Sequence, residues 1–276
     1  MPAVRPYAAA FAARFMLMLQ YRAAALAGFA TQCWWGAIKV MVFAAFYAAA
    51  PEAAGGSLTL AQTITYIWLA QALLALVPWG GDPEIGQAVR TGAIGYDRLR
   101  PLDTYAWWYA RSAAWMTARA LPRAALMLAF AGVLLPLIGL ETWSWRPPAN
   151  MTQAALFAVS AVLLVALSSA WVMLLNLAAV RLLDERGVNA MTSSVIIVFS
   201  GNLLPLPLFP EWIQGFLFVQ PFAGMLDIPV RIYSGALTDG QALTGLALQA
   251  GWTAIFIALG RAWMHGVMGR LQMQGG

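Results

Sequence analysis

The stretch SGNLLPLPLFPEWIQGFLFVQPFAGMLDIPVR, residues 200–231, decides how this chain is read. It is strongly apolar, yet it carries Pro205, Pro207, Pro210, Pro221 and Pro229. Proline lacks a backbone donor and its ring clashes with the preceding helical turn, so one straight membrane helix is not expected here. An apolar segment that leaves the helix must be sheltered by protein, line a cavity or lie at the membrane interface. The expected form is a helix that starts near Thr192, breaks at Pro205, and continues as short interfacial or re-entrant pieces.

The rest of the composition agrees with a membrane chain. Of 276 residues, 62% are hydrophobic and 10% charged, far below the quarter typical of soluble domains. The 13 tryptophans and 8 tyrosines suit a protein with two membrane–water interfaces to anchor. One cysteine, Cys33, leaves no internal disulfide to form. With His265 as the one histidine, the common zinc sites cannot be assembled within the chain. A Ser-His-Asp triad would hang on that same residue, set between Met264 and Gly266. Lys39, the one lysine, stands in WWGAIKVMV without the glycine-rich loop that a phosphate-binding lysine needs. The expectation is a chain with no catalytic, metal or cofactor site of its own.

Windows of about 20 apolar residues mark membrane helices. Six are expected, over residues 24–49, 60–77, 121–140, 154–180, 192–205 and 243–259. The fold class is thus an all-α polytopic membrane protein in one domain, residues 1–276. Ahead of the spans, residues 5–22 read as an amphipathic interfacial helix. Tyr7, Phe11, Phe15 and Met18 make its apolar stripe, and Arg5, Arg14 and Arg22 stand at the margins to meet anionic headgroups. The alternative is a cytosolic extension of the first span. Arg14 and Arg22 interrupt the apolar run, so the segment is not read as a signal peptide. With both termini cytoplasmic, 13 arginines fall inside and only Arg146 and Arg231 outside, as the positive-inside rule requires. The outer segments carry Glu52, Glu141, Glu211, Asp227 and Asp239 instead. The net charge of +5 is therefore topological, and nothing points to nucleic acid.

Three segments are candidates for mechanism. The loop over residues 79–111 contains Asp82 and Pro83, a cap followed by proline at the first helical position. Ile85, Val89 and Ala88 give a small apolar face, and Gly92 can end the helix. It reads either as a solvated loop or as a docking element for a cytosolic partner. Lys39 lies past the middle of the first span. It either snorkels to the outer interface or lines a pathway, paired with an acid such as Glu211 or Asp227. Asn176, Asn202 and Trp35 accompany it as possible pathway residues, while helix–helix contact is the simpler role of such polar groups. The third segment is the proline-broken return, residues 205–231. Matched broken helices in both halves, the mark of inverted-repeat transporters, are not seen.

An N-terminal amphipathic helix, six spans, a capped helix between spans two and three, and SGNLLPLPLFPEWIQGFLFVQPF after the fifth together resemble an ABC-2-type permease. More narrowly, QYRAAALAG, DPEIGQAVRTGAIGYDRLRPLD, LPLPLFPEWIQ and the terminal LQMQGG are similar to the viologen-exporter-like branch. The resemblance spans the chain. It implies a bacterial inner-membrane subunit that pairs with a second permease and binds cytosolic ATPase subunits, which carry the ATP and Mg. It also implies a coupling helix comprising Pro83, Glu84, Ile85, Val89 and Arg90, and an extracellular gate comprising Pro205, Pro207, Pro210, Trp212 and Pro221. The function implied is export of an amphipathic or lipophilic substrate. The competing expectation is a stand-alone secondary transporter or channel with Lys39 as its ion or proton site.

Overall fold

A computed structural model describes residues 4–50, 57–97, 99–182 and 185–270. Glu52, the terminal LQMQGG and Arg98, which is part of the quoted DPEIGQAVRTGAIGYDRLRPLD, lie outside the described residues. Among the described residues every regular element is helical: α1 (Arg5–Leu19), α2 (Arg22–Ala49), α3 (Leu60–Leu73), α4 (Pro83–Arg90) and α5 (Ile94–Asp97) come first. They are followed by α6 (Thr104–Ala129), α7 (Leu135–Leu137), α8 (Met151–Leu182), α9 (Glu185–Phe199), α10 (Glu211–Val219), α11 (Asp227–Tyr233) and α12 (Asp239–Arg270).

Each of the six apolar windows forms a helix. Four are long and apolar enough to cross a membrane: Arg22–Ala49, Thr104–Leu137, Met151–Leu182 and Asp239–Gly266. Leu60–Leu76 and Arg186–Phe199 are shorter. The third window departs most from expectation. The window expected over residues 121–140 belongs to one helix that begins much earlier, at Thr104, takes in TYAWWYARSAAWMTARALPRAAL, and carries Pro122 inside it. Asp103 caps that start by accepting from the Ala106 N–H at 2.6 Å. Farther along, Pro136 cannot donate and would crowd the carbonyl four residues before it, and the helix widens into a π turn over Phe130–Leu134.

α3 is the packing centre. Thr59 and Gln62 form a reciprocal capping box at its start, and every residue from Thr63 to Leu73 is buried. A helix buried all round from Thr63 onward has no lipid face to declare, and its 14 residues include no charged side chain. Tyr66, Ile67 and Trp68 pack there with Met116 and Met127 of α6 and Leu164 of α8. At the α4 end a second cluster joins Ile85, Ile94, Tyr105, Trp108, Leu177 and Met264. At the α10–α11 end a third joins Leu206, Leu217, Ala223, Ile228 and Ile232.

The first helix corrects one expectation. α1 ends at Leu19, the chain turns at Gln20 and Tyr21, and α2 begins at Arg22. The inward face of α1 carries Ala10 and Arg14, with Tyr7, Phe11, Phe15 and Met18 half-buried beside them against α6. Arg14 therefore does not reach out to headgroups. It sits one turn along from Ala10 on the buried face, with 6% exposure.

Candidate functional site

Asp82 is the centre of a buried polar network at the α4 end. Its carboxylate caps α4 by accepting from the Glu84 N–H at 3.0 Å. The same oxygen, Oδ1, accepts from Arg14 Nη2 at 2.8 Å, and Oδ2 accepts from the Ser112 hydroxyl at 2.9 Å. The Asp82 N–H donates to Asn176 Oδ1 at 2.7 Å, and the Gly81 N–H donates to Asn189 Oδ1 at 3.0 Å. Arg14 Nη1 also lies 2.6 Å from Glu84 Oε2, and Glu84 is paired with Arg111. One short helix is thereby bolted to α1, α6, α8 and α9. Asp82 is 1% exposed, so its charge is stabilised by Arg14 rather than by water.

The two residues before Asp82 explain the close fit. A Cβ on Gly80 would fall 2.7 Å from Asn189 Cγ, and one on Gly81 would fall 2.8 Å from Asn176 Oδ1. Only glycine lets the backbone approach both asparagines. The expected helix bounds hold: Pro83 opens α4, and Gly92, at φ +73°, lies just past the C-cap Thr91. Ile85 is buried, and Ala88 and Val89 pack beside it on the second cluster. Of the five residues assigned to coupling, Pro83, Glu84 and Arg90 thus lie on the exposed face, while Ile85 and Val89 face the protein. The exposed face continues through Gln87 to Tyr96 and Leu99, each 72% exposed. Between those two, Asp97 accepts from the Trp108 indole N–H at 2.9 Å and pairs with Arg100 at 3.3 Å, which holds the loop against α6.

At the opposite end, α9 stops at Phe199 and the chain unwinds. In an apolar setting each freed carbonyl needs a donor. All seven from Ile196 to Asn202 lie within reach of one, the Tyr66 hydroxyl being shared between the Gly201 carbonyl and Asp227. Ile196, Ile197 and Val198 accept from the N–H groups of Ser200, Leu203 and Gly201. Phe199 accepts from Gln220 Nε2 at 2.8 Å, and Ser200 from the Asp227 N–H at 3.1 Å. The Gly201 carbonyl lies 3.1 Å from the Tyr66 hydroxyl, and the Asn202 carbonyl accepts from Lys39 Nζ. Gly201 turns with φ +84°, and a Cβ there would strike Tyr66 Oη. Asp227, fully buried, organises the return: Oδ1 is 2.9 Å from Tyr66 Oη and 3.3 Å from the Leu206 N–H, while Oδ2 meets Arg231 Nη1 at 3.3 Å.

This geometry sorts the four pathway candidates. Lys39 and Asn202 come together, but through the asparagine's backbone carbonyl. Asn176 belongs to the Asp82 network at the other end, and Trp35 is exposed on the outer surface of α2. The expected pairing of Lys39 with Glu211 or Asp227 is corrected. Asp227 is held by Arg231 and Tyr66, Glu211 is exposed at the start of α10, and the lysine serves a carbonyl left by the broken helix. The gate candidates also divide. Pro205 and Pro207 are buried around the turn Leu206–Leu208, where the Pro207 carbonyl accepts from Ser57 Oγ at 2.7 Å and from Gln214 at 3.0 Å. Pro210 precedes α10, Pro221 opens a turn over Pro221–Met225, and Trp212 is 82% exposed.

Residues missed by sequence reasoning are Arg14, Ser112, Asn189 and Tyr66, whose partners are far away along the chain. The doubled glycine before Asp82 was a usable signal for close backbone approach. The family model described as ABC-2 family transporter protein matches residues 34–275. Neither the curated proteins nor the solved structures compared with the chain gave a match.

Proposed function

Since the chain belongs to the ABC-2 transporter family, we propose that it is the membrane-spanning permease subunit of an ATP-driven exporter, working with separate cytosolic ATPase subunits and a second permease. The observation that carries this reading is the anchoring of α4. A solvated loop has no need of a buried aspartate, an arginine from α1 and two asparagines from α8 and α9. A helix that receives force does. In this reading Pro83, Glu84, Gln87 and Arg90, with Tyr96 and Leu99, form the surface an ATPase grips. Displacement of α4 passes through Asp82 to α1, α6 and α8 together.

Six spans follow if Leu60–Leu76 and Arg186–Phe199 complete the four longer ones, with both termini cytoplasmic in a bacterial inner membrane. The arginine asymmetry supports this orientation. The return over residues 205–231 then lies on the outer side as a gate. The aromatic and apolar interior suits an amphipathic or lipophilic substrate, and the motifs quoted above favour the viologen-exporter-like branch. ATP and Mg belong to the partner subunit. The stand-alone reading is weaker, because Lys39 is engaged by a backbone carbonyl in a space of about 10 Å³, room for roughly one water.

The test is affinity purification of the full chain from native membranes, followed by assay of ATP hydrolysis in the eluate. Co-elution of an ATPase, lost in an Arg90→Glu, Tyr96→Asp double variant that still reaches the membrane, is the expected result. Transport by the purified chain alone, indifferent to ATP, overturns the proposal.

A further inference from the structure

Where α1 hands over to α2, the turn at Gln20 and Tyr21 leaves a cavity of about 620 Å³ against α6. Its wall is mostly apolar, through residues such as Leu26, Pro122 and Leu126, and three arginines, Arg22, Arg119 and Arg123, are among the residues that line it. None of the three forms an ion pair among the described residues. Arg123 donates to the Ala24 carbonyl at 3.1 Å and keeps a buried Nε without a hydrogen-bond partner. Arg119 lies over the Trp115 ring at 4.6 Å. Three arginines without an ion pair at one end of an apolar cavity suit an anion, and guanidinium favours phosphate.

The cavity does not stop there. Leu126 also lines a second cavity of about 800 Å³, which continues between α2 and α6 past Phe29, Cys33, Ala37, Phe130 and Val133 with no charged residue in it. From Arg22 to Ala37 this cleft runs about 22 Å along α2, against roughly 15 Å for half of a hydrocarbon core. The order is basic first, then apolar, over the length of one acyl chain and its headgroup. A soluble anion would use only the basic end.

We propose that this cleft binds one anionic phospholipid, its phosphate held by Arg22, Arg119 and Arg123 and an acyl chain laid between α2 and α6. Basic pockets between membrane helices are the sites where acidic headgroups lodge. Gly28 is part of the design, since a Cβ there would fall 2.5 Å from Arg123 Cζ and push the guanidinium aside. The site stands whether or not an ATPase binds the chain.

The test uses the full chain purified in mild detergent, offered phosphatidylglycerol or phosphatidylcholine of equal chain length, with retained lipid counted by native mass spectrometry. Phosphatidylglycerol is expected to be retained at least fivefold over phosphatidylcholine. Arg119→Gln with Arg123→Gln should remove that preference, and Arg261→Gln should leave it unchanged. Leu126→Trp, which keeps all three arginines but blocks the junction of the two cavities, should lower phosphatidylglycerol retention at least threefold. Gly28→Ala should lower it as well, without altering charge, so the test survives if the double variant fails to insert. Equal retention of the two lipids, or undiminished phosphatidylglycerol in the arginine or Leu126 variants, overturns the proposal. Complete displacement by 10 mM inorganic phosphate overturns it too, assigning the basic end to a soluble anion.

Discussion

Two buried aspartates hold opposite ends of this molecule, and they do so differently. Asp82 reaches across the fold, drawing its partners from α1, α6 and α8 as well as from its own helix. Asp227 draws its cation from nearer home, since Arg231 lies one turn along the same helix; Tyr66 of α3 reaches it from 161 residues away, and its contact with the Leu206 N–H secures an unwound segment. The first network joins helices that are each intact. The second repairs one that is broken. Contacts of the first kind lock separate helices together, whereas a break inside a helix needs donors for its stray carbonyls.

Breaking the first network should cost most. Asp82→Ala strands the Arg14 charge and uncaps α4, for an expected loss of about 3–5 kcal/mol, read as a fall in thermal unfolding temperature in detergent. Adding Arg14→Leu should restore part of that loss, because the orphan charge goes with it. Asp227→Ala should cost less, about 2–3 kcal/mol, because its cation is local and less buried. If the two aspartate variants cost the same, the contrast between a distant and a local cation fails.

Smaller effects sharpen the second network. Gly201→Ala forces a side chain into a left-handed conformation against Tyr66, at about 1–2 kcal/mol, with faster amide exchange confined to the return. Lys39→Met removes the donor to the Asn202 carbonyl. The fold should survive with a loss of about 1–2 kcal/mol and faster exchange after Asn202. Unchanged exchange there would show that the lysine has another purpose. Glu84→Gln, at a half-exposed pair of arginine contacts, should cost under about 1 kcal/mol, and its effect should fade in high salt.

Much of this was legible where the signal is local. Asp82–Pro83 and Gly92 mark both ends of α4, because capping is read within a few residues. Pro205 and its neighbours announce the break for the same reason. What escaped was pairing at a distance. Arg14 looks like a surface cation by helical periodicity, and only its partner 68 residues away makes it a core residue. Asn176 inside an apolar run fits a pathway as well as an anchor until Gly81 and Asp82 are seen against it. The target of Lys39 was the least visible of all, since a backbone carbonyl carries no identity in a sequence.

The helix that begins at Thr104 and runs to Leu137 has one consequence beyond packing. Its 34 residues measure about 50 Å, roughly 20 Å more than the hydrocarbon thickness of a bilayer. Under the proposed coupling, the surplus is placed to act as a tiller. Arg111 and Ser112, which grip the short capped helix, are set on its handle, while Phe130 and the widened turn lie near the blade. In the coupling reading proposed above, pressure on the handle is expected to swing the far end in the opposite sense, with the π turn over Phe130–Leu134 as the place to absorb it.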